Sequence, residues 1–301
     1  MGTPSQVRAK LCAVALVSGA VLFGLGATAS RIQAEEMAAS CVDPSEPARS
    51  VVSIVWYFDK PRHNSAGEEI VGERATGWFY TSPRLLVTAA HFANDLPAQG
   101  WQEAELRQAS QDGEPGATVR VQLRVIARRQ PADGHARGAE RNTALMDDVA
   151  ILELREPFPD AHVLDVQPEP PAADANVLVL GYPGGRMQAA RGTVRVVKDP
   201  PGKYAGLTFL EVQGDNRLLL NAGTSGAPVL DCRHGHVIAV LNGLLTGPSL
   251  PFLPPERSVV PTPWGSPTNT AVPAATVATV RDRGMSAADS AVAANRPARL
   301  P

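Results

Sequence analysis

Residues 85–91 read Leu-Leu-Val-Thr-Ala-Ala-His, an apolar run that ends in two small residues and a histidine. The run is rich in β-forming residues and predicts a strand. Small residues after it allow the chain to turn tightly, which would bring the His91 imidazole against a neighbouring segment. A lone histidine after a strand is more often a partly buried structural residue, so its meaning depends on the rest of the chain.

On both sides of this run the sequence continues as short β-rich segments separated by loops. Residues 77–80 and 85–88 flank a Thr-Ser-Pro-Arg turn and predict a hairpin. Further strands are predicted at 51–58, 119–126, 149–154, 176–180, 192–197, 208–212, 227–230 and 237–241. One short helix is predicted at about 274–281. Many short strands with hardly a long helix favour an all-β barrel or sandwich over a βαβ fold.

Two other segments carry chemically useful residues. Residues 148–152, Asp-Val-Ala-Ile-Leu, place a carboxylate at the mouth of an apolar strand, where it could orient a histidine. Residues 221–228, Asn-Ala-Gly-Thr-Ser-Gly-Ala-Pro, hold a serine between glycines just before a strand. Taken singly, these are an ordinary strand end and an ordinary turn. Together with His91 they supply a nucleophile, a base and a group that orients the base.

The order and spacing of these segments resemble the trypsin/chymotrypsin-like serine protease family. Residues 88–91 match its histidine motif, residues 148–152 its aspartate motif, and residues 223–228 resemble its Gly-x-Ser-Gly-Gly-Pro motif. Residues 181–184, Gly-Tyr-Pro-Gly, resemble a turn of the short bacterial members, the HtrA-like domains without a PDZ domain. The resemblance runs from about 51 to 243. It implies two six-stranded antiparallel β-barrels with the active site in the cleft between them.

The resemblance also implies a role for each motif residue. Ser225 would be the nucleophile, His91 the general base and then general acid, and Asp148 the residue that holds the imidazole tautomer. Asp147 is the neighbouring alternative, although the family pattern puts the acid directly before the Val-Ala pair. The backbone N–H groups of Gly223 and Ser225 would form the oxyanion hole.

The sequence departs from the family pattern at two positions of the serine motif. Ala227 stands where the family usually has a second glycine, which would strain the turn if the backbone there needed a positive φ. Thr224 stands where members activated by cleavage carry an aspartate that pairs with a new N-terminal amine. Thr224 cannot form that pair, which argues against activation by cleavage.

Substrate specificity is assigned to two places. The family position that sets the primary pocket falls at Leu219, an uncharged residue, so a small or apolar substrate residue is expected there rather than a basic one. The predicted strand end at Leu241, Asn242 and Gly243 would lie beside the substrate backbone and pair with it by strand addition. An ordinary core strand end is the alternative interpretation.

The N-terminus reads as a secretory signal peptide. Arg8 and Lys10 precede an uncharged apolar stretch at 11–25, and a small-x-small site predicts cleavage after Ala29, with Ala34 as a second site. An uncleaved membrane anchor is the alternative, and no later segment has the length or apolarity to span a bilayer. A secreted or periplasmic location is therefore expected.

The predicted export bears on whether the cysteines form a disulfide. Cys12 leaves with the signal peptide, and Cys41 and Cys232 remain as an even pair in an oxidising compartment. A disulfide between them is one interpretation, and two unpaired thiols the other. Neither has the closely spaced Cys or His neighbours of a structural zinc site, so no metal and no cofactor is expected.

The amino-acid composition argues against a nucleic-acid-binding protein. The 301-residue chain has 28 basic and 30 acidic residues, without the basic surplus typical of nucleic-acid binders. The resemblance to serine proteases implies a peptide or protein substrate as the partner. The predicted organisation is a signal peptide (1–29), an N-terminal arm (30–50), a protease domain (51–284) and a flexible tail (285–301). The alternatives to an endopeptidase are an inactive homologue that binds peptides and an enzyme that acts on non-peptide esters.

Overall fold

The computed structural model describes residues 41–63, 67–97, 99–109, 115–128, 145–197, 206–212, 223–245 and 268–294. The predicted signal peptide and Leu219 lie outside these ranges. The described strands are β1 Val51–His63, β2 Glu69–Tyr80, β3 Ser82–Thr88, β4 Gln102–Ala109, β5 Pro115–Arg128, β6 Ala150–Leu154, β7 Asn176–Gly181, β8 Gln188–Arg195, β9 Thr208–Val212, β10 Pro228–Asp231, β11 Val237–Leu245 and β12 Thr268–Pro273. The described α-helices are α1 Ser45–Ala48, α2 Ala90–Ala93 and α3 Ala275–Ala294. None of them is long and apolar enough to cross a bilayer.

The strands form two closed barrels with the same order of neighbours. The first barrel follows β1-β2-β3-β6-β5-β4, and the second follows β7-β8-β9-β12-β11-β10. Neighbouring strands are antiparallel in both barrels. Closure leaves no unpaired sheet edge around either barrel. The predicted all-β fold of two six-stranded barrels is confirmed.

Apolar side chains fill each barrel and the space between the barrels. Ile54, Leu86 and Leu152 are among the fully buried residues of the first barrel. A separate buried cluster combines residues of both barrels, including Trp78 of β2 and Tyr182 just after β7. The Tyr182 hydroxyl donates to the Val51 carbonyl across this interface, with 3.3 Å between the oxygens. Packing and this hydrogen bond hold the two barrels against each other.

The structure corrects the predicted secondary structure at several points. The strands β4 and β12 were not predicted from the sequence, because their buried residues are mostly small or polar, such as Ala104 in β4 and Thr270 in β12. The turn of the first hairpin is shorter in the structure than the four residues predicted. Strand β3 begins at Ser82, directly after Thr81, which has a φ of 57°. The C-terminal helix is longer than predicted and continues to Ala294, into the segment expected to be a flexible tail.

A disulfide joins Cys41 to Cys232, 191 positions apart, so the predicted disulfide is confirmed. The neighbouring Val42 N–H donates to the Cys232 carbonyl at 2.8 Å. Cys41 lies before α1 and Cys232 follows β10. The bond therefore holds the segment that leads into α1 against the second barrel.

Replacing both cysteines by serine is expected to lower the free energy of unfolding by about 4 kcal/mol, because a long closed loop restricts the unfolded chain. Urea unfolding of the oxidised protein and of the double variant measures the difference. The variant's midpoint should not respond to reductant, whereas that of the wild-type protein should fall to the variant's value. Equal stability of the oxidised wild type and the double variant would contradict this role.

Candidate active site

The ends of two paired strands bring His91 and Asp148 together. Thr88 of β3 pairs with Ala150 of β6, so α2 after β3 and the residue two before Ala150 lie at the same end of the barrel. The His91 Nδ1 lies 2.7 Å from Asp148 Oδ2, and the His91 backbone N–H donates to Asp148 Oδ1 at 2.8 Å. One carboxylate thus holds both the backbone and the ring of His91, and the Nε2 atom remains for another partner.

The environment of His91 favours its protonated form. Burial lowers the pKa of the imidazole, but the hydrogen bond and charge of Asp148 and the charges of Glu73 and Asp95 outweigh that effect. The pKa of His91 is therefore raised above its ordinary value. The imidazole side chain is still 49% exposed, whereas that of Asp148 is 11% exposed. The His91 imidazole therefore has an accessible face and a nearly buried carboxylate behind it.

An acidic pair beside His91 was not predicted from the sequence. Burial, together with the charge of Asp95 and its hydrogen bond, raises the pKa of the Glu73 carboxyl, while Arg62 and His91 act in the opposite direction. The Arg62 guanidinium also forms an ion pair with Asp95, with 2.6 Å between Nη1 and Oδ1, and lies over the Phe58 ring. No motif marks these residues, because Arg62 lies on β1, Glu73 on β2 and Asp95 just after α2, and they meet only in the folded first barrel.

The turn that carries Ser225 has glycines with positive φ on both sides, at Gly223 (101°) and Gly226 (89°). Ser225 itself is half-buried. Its carbonyl accepts a hydrogen bond from the N–H of Thr76 in β2 at 2.9 Å, and the Gly226 N–H donates to the Leu241 carbonyl of β11 at 2.8 Å. The turn is therefore held between the two barrels, with β2 on one side and β11 on the other.

The serine turn lies directly against the segment that leads to His91. A methyl group on Gly226 would lie 2.6 Å from Thr88 Oγ1 and 2.7 Å from the Ala89 nitrogen. Within the described residues, no hydrogen bond joins the Ser225 hydroxyl to His91 itself. Catalytic hydrogen bonds are often long before substrate binds. The structure thus joins His91 to Asp148 and brings the Ser225 turn beside them without a direct link.

The predicted oxyanion-hole donors occupy this same turn. In the described part of the chain, no acceptor takes the N–H groups of Gly223 and Ser225. The Gly223 carbonyl is fixed by the Thr76 hydroxyl, which donates to it at 2.6 Å. Ala227 is fully buried and is not among the residues with positive φ, so alanine in place of the usual glycine introduces no backbone strain.

Comparison with known proteins assigns the family. The model of the trypsin-like peptidase domain matches residues 75–240, more than half of the chain. The chain belongs to the trypsin-like peptidase family. It is therefore a serine peptidase, a hydrolase whose substrate is a peptide or a protein, and the resemblance inferred from the sequence is confirmed.

Solved structures similar to this trypsin-like peptidase include two of Rv3671c. The first, from M. tuberculosis H37Rv, is an inactive form of a serine-to-alanine mutant. It is 19% identical with a TM-score of 0.47, and the match covers 80% of this chain and 91% of that chain. The second, an inactive form of the Rv3671c protease, is 20% identical with a TM-score of 0.45, covering 80% and 92%. No curated protein sequence matches the chain.

The predicted substrate strand of the peptidase lies at the end of β11. Leu241 uses both of its backbone groups within the protein, since its N–H donates to the Ala227 carbonyl and its carbonyl accepts from Gly226. A register shift follows at Asn242, between the residues that pair with β12. Asn242 and Gly243 therefore follow directly on the residue that pairs with the serine turn.

Replacing Gly226 of the peptidase by alanine is expected to lower the free energy of unfolding by about 3 kcal/mol, combining positive-φ strain with overpacking. The added methyl group would overlap the Thr76 carbonyl, the Thr88 hydroxyl and the Ala89 nitrogen. Gly184 is a matched control, because its φ is also positive at 58° but no other atom lies within 4 Å of the added methyl group. Gly184→Ala should lose only about 1 kcal/mol in urea unfolding. Equal losses in the two variants would contradict the close contact at Gly226.

Proposed function

We infer that this peptidase is an exported serine endopeptidase that uses His91, Asp148 and Ser225 as its catalytic triad. The observation that carries the proposal is the two-point contact of Asp148 with His91 beside the Ser225 turn. A serine hydroxyl is a weak nucleophile until a base removes its proton, and the base needs an orienting group. Asp148 supplies that orientation, and it also stabilises the imidazolium that forms.

The reaction proceeds in two halves. The Ser225 hydroxyl attacks the scissile carbonyl carbon while His91 Nε2 accepts the hydroxyl proton. The N–H groups of Gly223 and Ser225 donate hydrogen bonds to the negative oxygen of the tetrahedral intermediate, and each bond contributes about 3–4 kcal/mol of stabilisation. His91 then donates its proton to the leaving amine, which departs and leaves an acyl-enzyme on Ser225. A water molecule then attacks the acyl-enzyme while His91 accepts its proton. His91 donates that proton to the Ser225 oxygen, which releases the carboxylic acid product and regenerates the enzyme.

The acyl part of the substrate lies along β11. The end of β11 at Asn242 and Gly243, which continues from the pairing of Leu241 with the serine turn, lies beside an extended peptide and binds it by strand addition. Leu219 sets the primary pocket, with an uncharged side chain that favours a small or apolar substrate residue. Substitution of Leu219 by aspartate should therefore move the preference toward Lys or Arg.

Turnover of peptides against esters tests this function. The protein should cleave an unfolded protein such as casein and a nitrophenyl ester, and both activities should disappear in His91→Ala. Ester turnover without any peptide cleavage would favour an esterase. Binding of peptides with neither activity, unchanged in His91→Ala, would favour a non-catalytic peptide-binding module.

We infer export from the predicted signal peptide, and the disulfide supports it, since structural disulfides persist in oxidising compartments. The mature chain begins at Ser30, with the arm (30–50) leading into the protease domain (51–284). N-terminal sequencing of the exported protein tests this. A start at Ser30 or Glu35 supports cleavage, whereas an intact N-terminus would indicate a retained membrane anchor.

The pH profile of the peptidase follows from the charges around His91. A general base must be neutral, so the acid limb of kcat/KM reports the pKa of His91 in the free enzyme. Because the pKa of His91 is raised, the acid limb of kcat/KM should lie above the ordinary histidine pKa of 6.5. Glu73→Gln removes one charge that raises the pKa, so the limb should move to lower pH, while Asp148, Asp95 and Arg62 remain. Glu69→Gln, on the same strand, is the control. An unmoved limb in Glu73→Gln would contradict the electrostatic account.

A further inference from the structure

We propose that Arg74 selects substrates with an acidic side chain on the leaving-group side of the scissile bond. The inference rests on the proposed endopeptidase function, because it names a binding residue for the same site. Arg74 lies on β2, two residues before Thr76, and is exposed. Four observations carry it: the anchoring of β2 at the serine turn, the path of the Arg74 side chain, its lack of a carboxylate partner, and its position opposite the acyl-binding strand.

Thr76 fastens β2 to the serine turn at two points and to the residue after β7 at a third. Its N–H donates to the Ser225 carbonyl at 2.9 Å and its hydroxyl to the Gly223 carbonyl at 2.6 Å. The same hydroxyl accepts the Tyr182 N–H at 3.0 Å. Because this network is buried, the register of β2 against Ser225 is rigid. A side chain two residues away on β2 is therefore held at a fixed position relative to the nucleophile.

The Arg74 side chain runs across the two glycine turns beside the nucleophile. Side chains alternate along a strand, so Arg74 shares the face of Thr76, whereas Glu73 faces the opposite side with Asp95. A methyl group on Gly223 would lie 3.4 Å from Arg74 Cδ, and one on Gly185 would lie 2.6 Å from Arg74 Nη1. The aliphatic part therefore lies over the oxyanion turn and the guanidinium reaches the turn at Gly185.

The Arg74 guanidinium is available to bind an anionic group. Among the residues that the structure describes, no carboxylate forms an ion pair with Arg74. Other exposed arginines of the peptidase do have such partners, for example Arg124 with Glu153 and Arg195 with Glu211. An arginine fork binds a carboxylate through two parallel N–H donors. A carboxylate of the substrate is the complementary ligand.

The position of Arg74 relative to Ser225 decides which part of the substrate it meets. The serine turn lies between β11, bonded at Gly226, and β2, bonded at Ser225. A substrate whose acyl part lies along β11 must cross Ser225 and leave on the side of β2. The guanidinium of Arg74 therefore faces the first residues after the scissile bond, and an aspartate or glutamate there would bind it.

The test uses peptides that share one acyl sequence and carry Glu, Gln or Lys at the first or second position after the scissile bond. The purified wild-type protein should cleave the best Glu peptide about tenfold faster in kcat/KM than its Lys counterpart, the ratio expected for one charge-assisted contact. Arg74→Glu should reverse the order, and Arg74→Gln should abolish it. Arg233→Glu, in the turn beside the disulfide, is the matched control and should keep the wild-type order. The Arg233→Glu control should turn over the nitrophenyl ester as the wild type does, and each Arg74 variant is compared through the ratio of its peptide turnover to its ester turnover, since the ester carries no amino-acid residue on the leaving side.

The outcomes separate this inference from the proposed function. Cleavage of the peptides without a Glu preference, or a preference that Arg74→Glu leaves unchanged, overturns the role of Arg74 and leaves the endopeptidase function standing. Equal loss of ester and peptide turnover in both Arg74 variants would mean that Arg74 supports the fold of the turn and would also overturn it. A folded wild-type protein that cleaves no peptide overturns both.

Discussion

Ser225→Ala is expected to lower kcat for a cleaved peptide by about 10⁶-fold, because removal of the nucleophile stops acyl-enzyme formation altogether. Any residual rate comes from direct attack by water assisted by the oxyanion donors of the Gly223 turn. The fold should persist, because Ser225 is held by its backbone carbonyl through Thr76 rather than by its hydroxyl. Steady-state kinetics with a fluorogenic peptide, beside urea unfolding, measures both effects.

Ser53→Ala is the matched control for the loss of a serine hydroxyl. Ser53 lies in β1, and its hydroxyl is buried without a hydrogen-bond partner. Its removal should leave kcat unchanged. If Ser225→Ala kept more than about a hundredth of the wild-type kcat, a different nucleophile would be required.

Asp148→Asn is expected to lower kcat by about 10⁴-fold with little change in KM. The asparagine oxygen can still accept the His91 backbone N–H, so α2 should stay in place. The amide cannot stabilise an imidazolium, and its NH₂ group facing Nδ1 would favour the wrong tautomer. The acid limb of the pH profile should also move to lower pH, because the hydrogen bond and charge that raise the His91 pKa are lost.

Asp147→Asn is a sharp control, since the sequence offered both neighbouring acids. The structure gives the contact with His91 to Asp148, and Asp147 lies in the preceding short 3-10 turn. Asp147→Asn should therefore keep most of the wild-type kcat. A larger loss in Asp147→Asn than in Asp148→Asn would reverse the assignment of the acid.

Strands with clear apolar patterns could be predicted from the sequence, and strands without them could not. In β4 the buried positions alternate at Ala104 and Leu106, but charged residues separate them and the run reads as polar. Its outer face is stabilised by neighbours on β5, such as Arg120 beside Glu103 and Glu105. These contacts come from the pairing of β4 with β5, which the residues of β4 alone do not report.

The length of α3 has a similar cause. Gly284 has low helix propensity, and the sequence analysis ended the helix before it. In the structure this residue lies directly against the backbone of Ile126 and Ala127 in β5, where a side chain would overlap them. Close packing on the first barrel thus compensates for the poor propensity and lets the helix continue.

The motif residues of the site could be predicted, but their surroundings could not. His91 and Asp148 stand in recognisable local sequences and meet because β3 pairs with β6. Thr76 and Gly223 are 147 positions apart and come together only when the two barrels close on each other. The position of Arg74 depends on that same packing, and Glu73 meets Asp95 only within the folded first barrel. The residues proposed to tune pH response and specificity therefore carry no sequence signal.

Labelling with a fluorophosphonate probe tests the central claim most directly, because the probe reacts only with a serine that an adjacent base has activated. The purified wild-type protein should be labelled on Ser225, as located by mass spectrometry of the modified peptide. Ser225→Ala and His91→Ala should remain unlabelled although folded. A folded wild-type protein that does not react, or equal labelling of Ser225→Ala, would contradict the account.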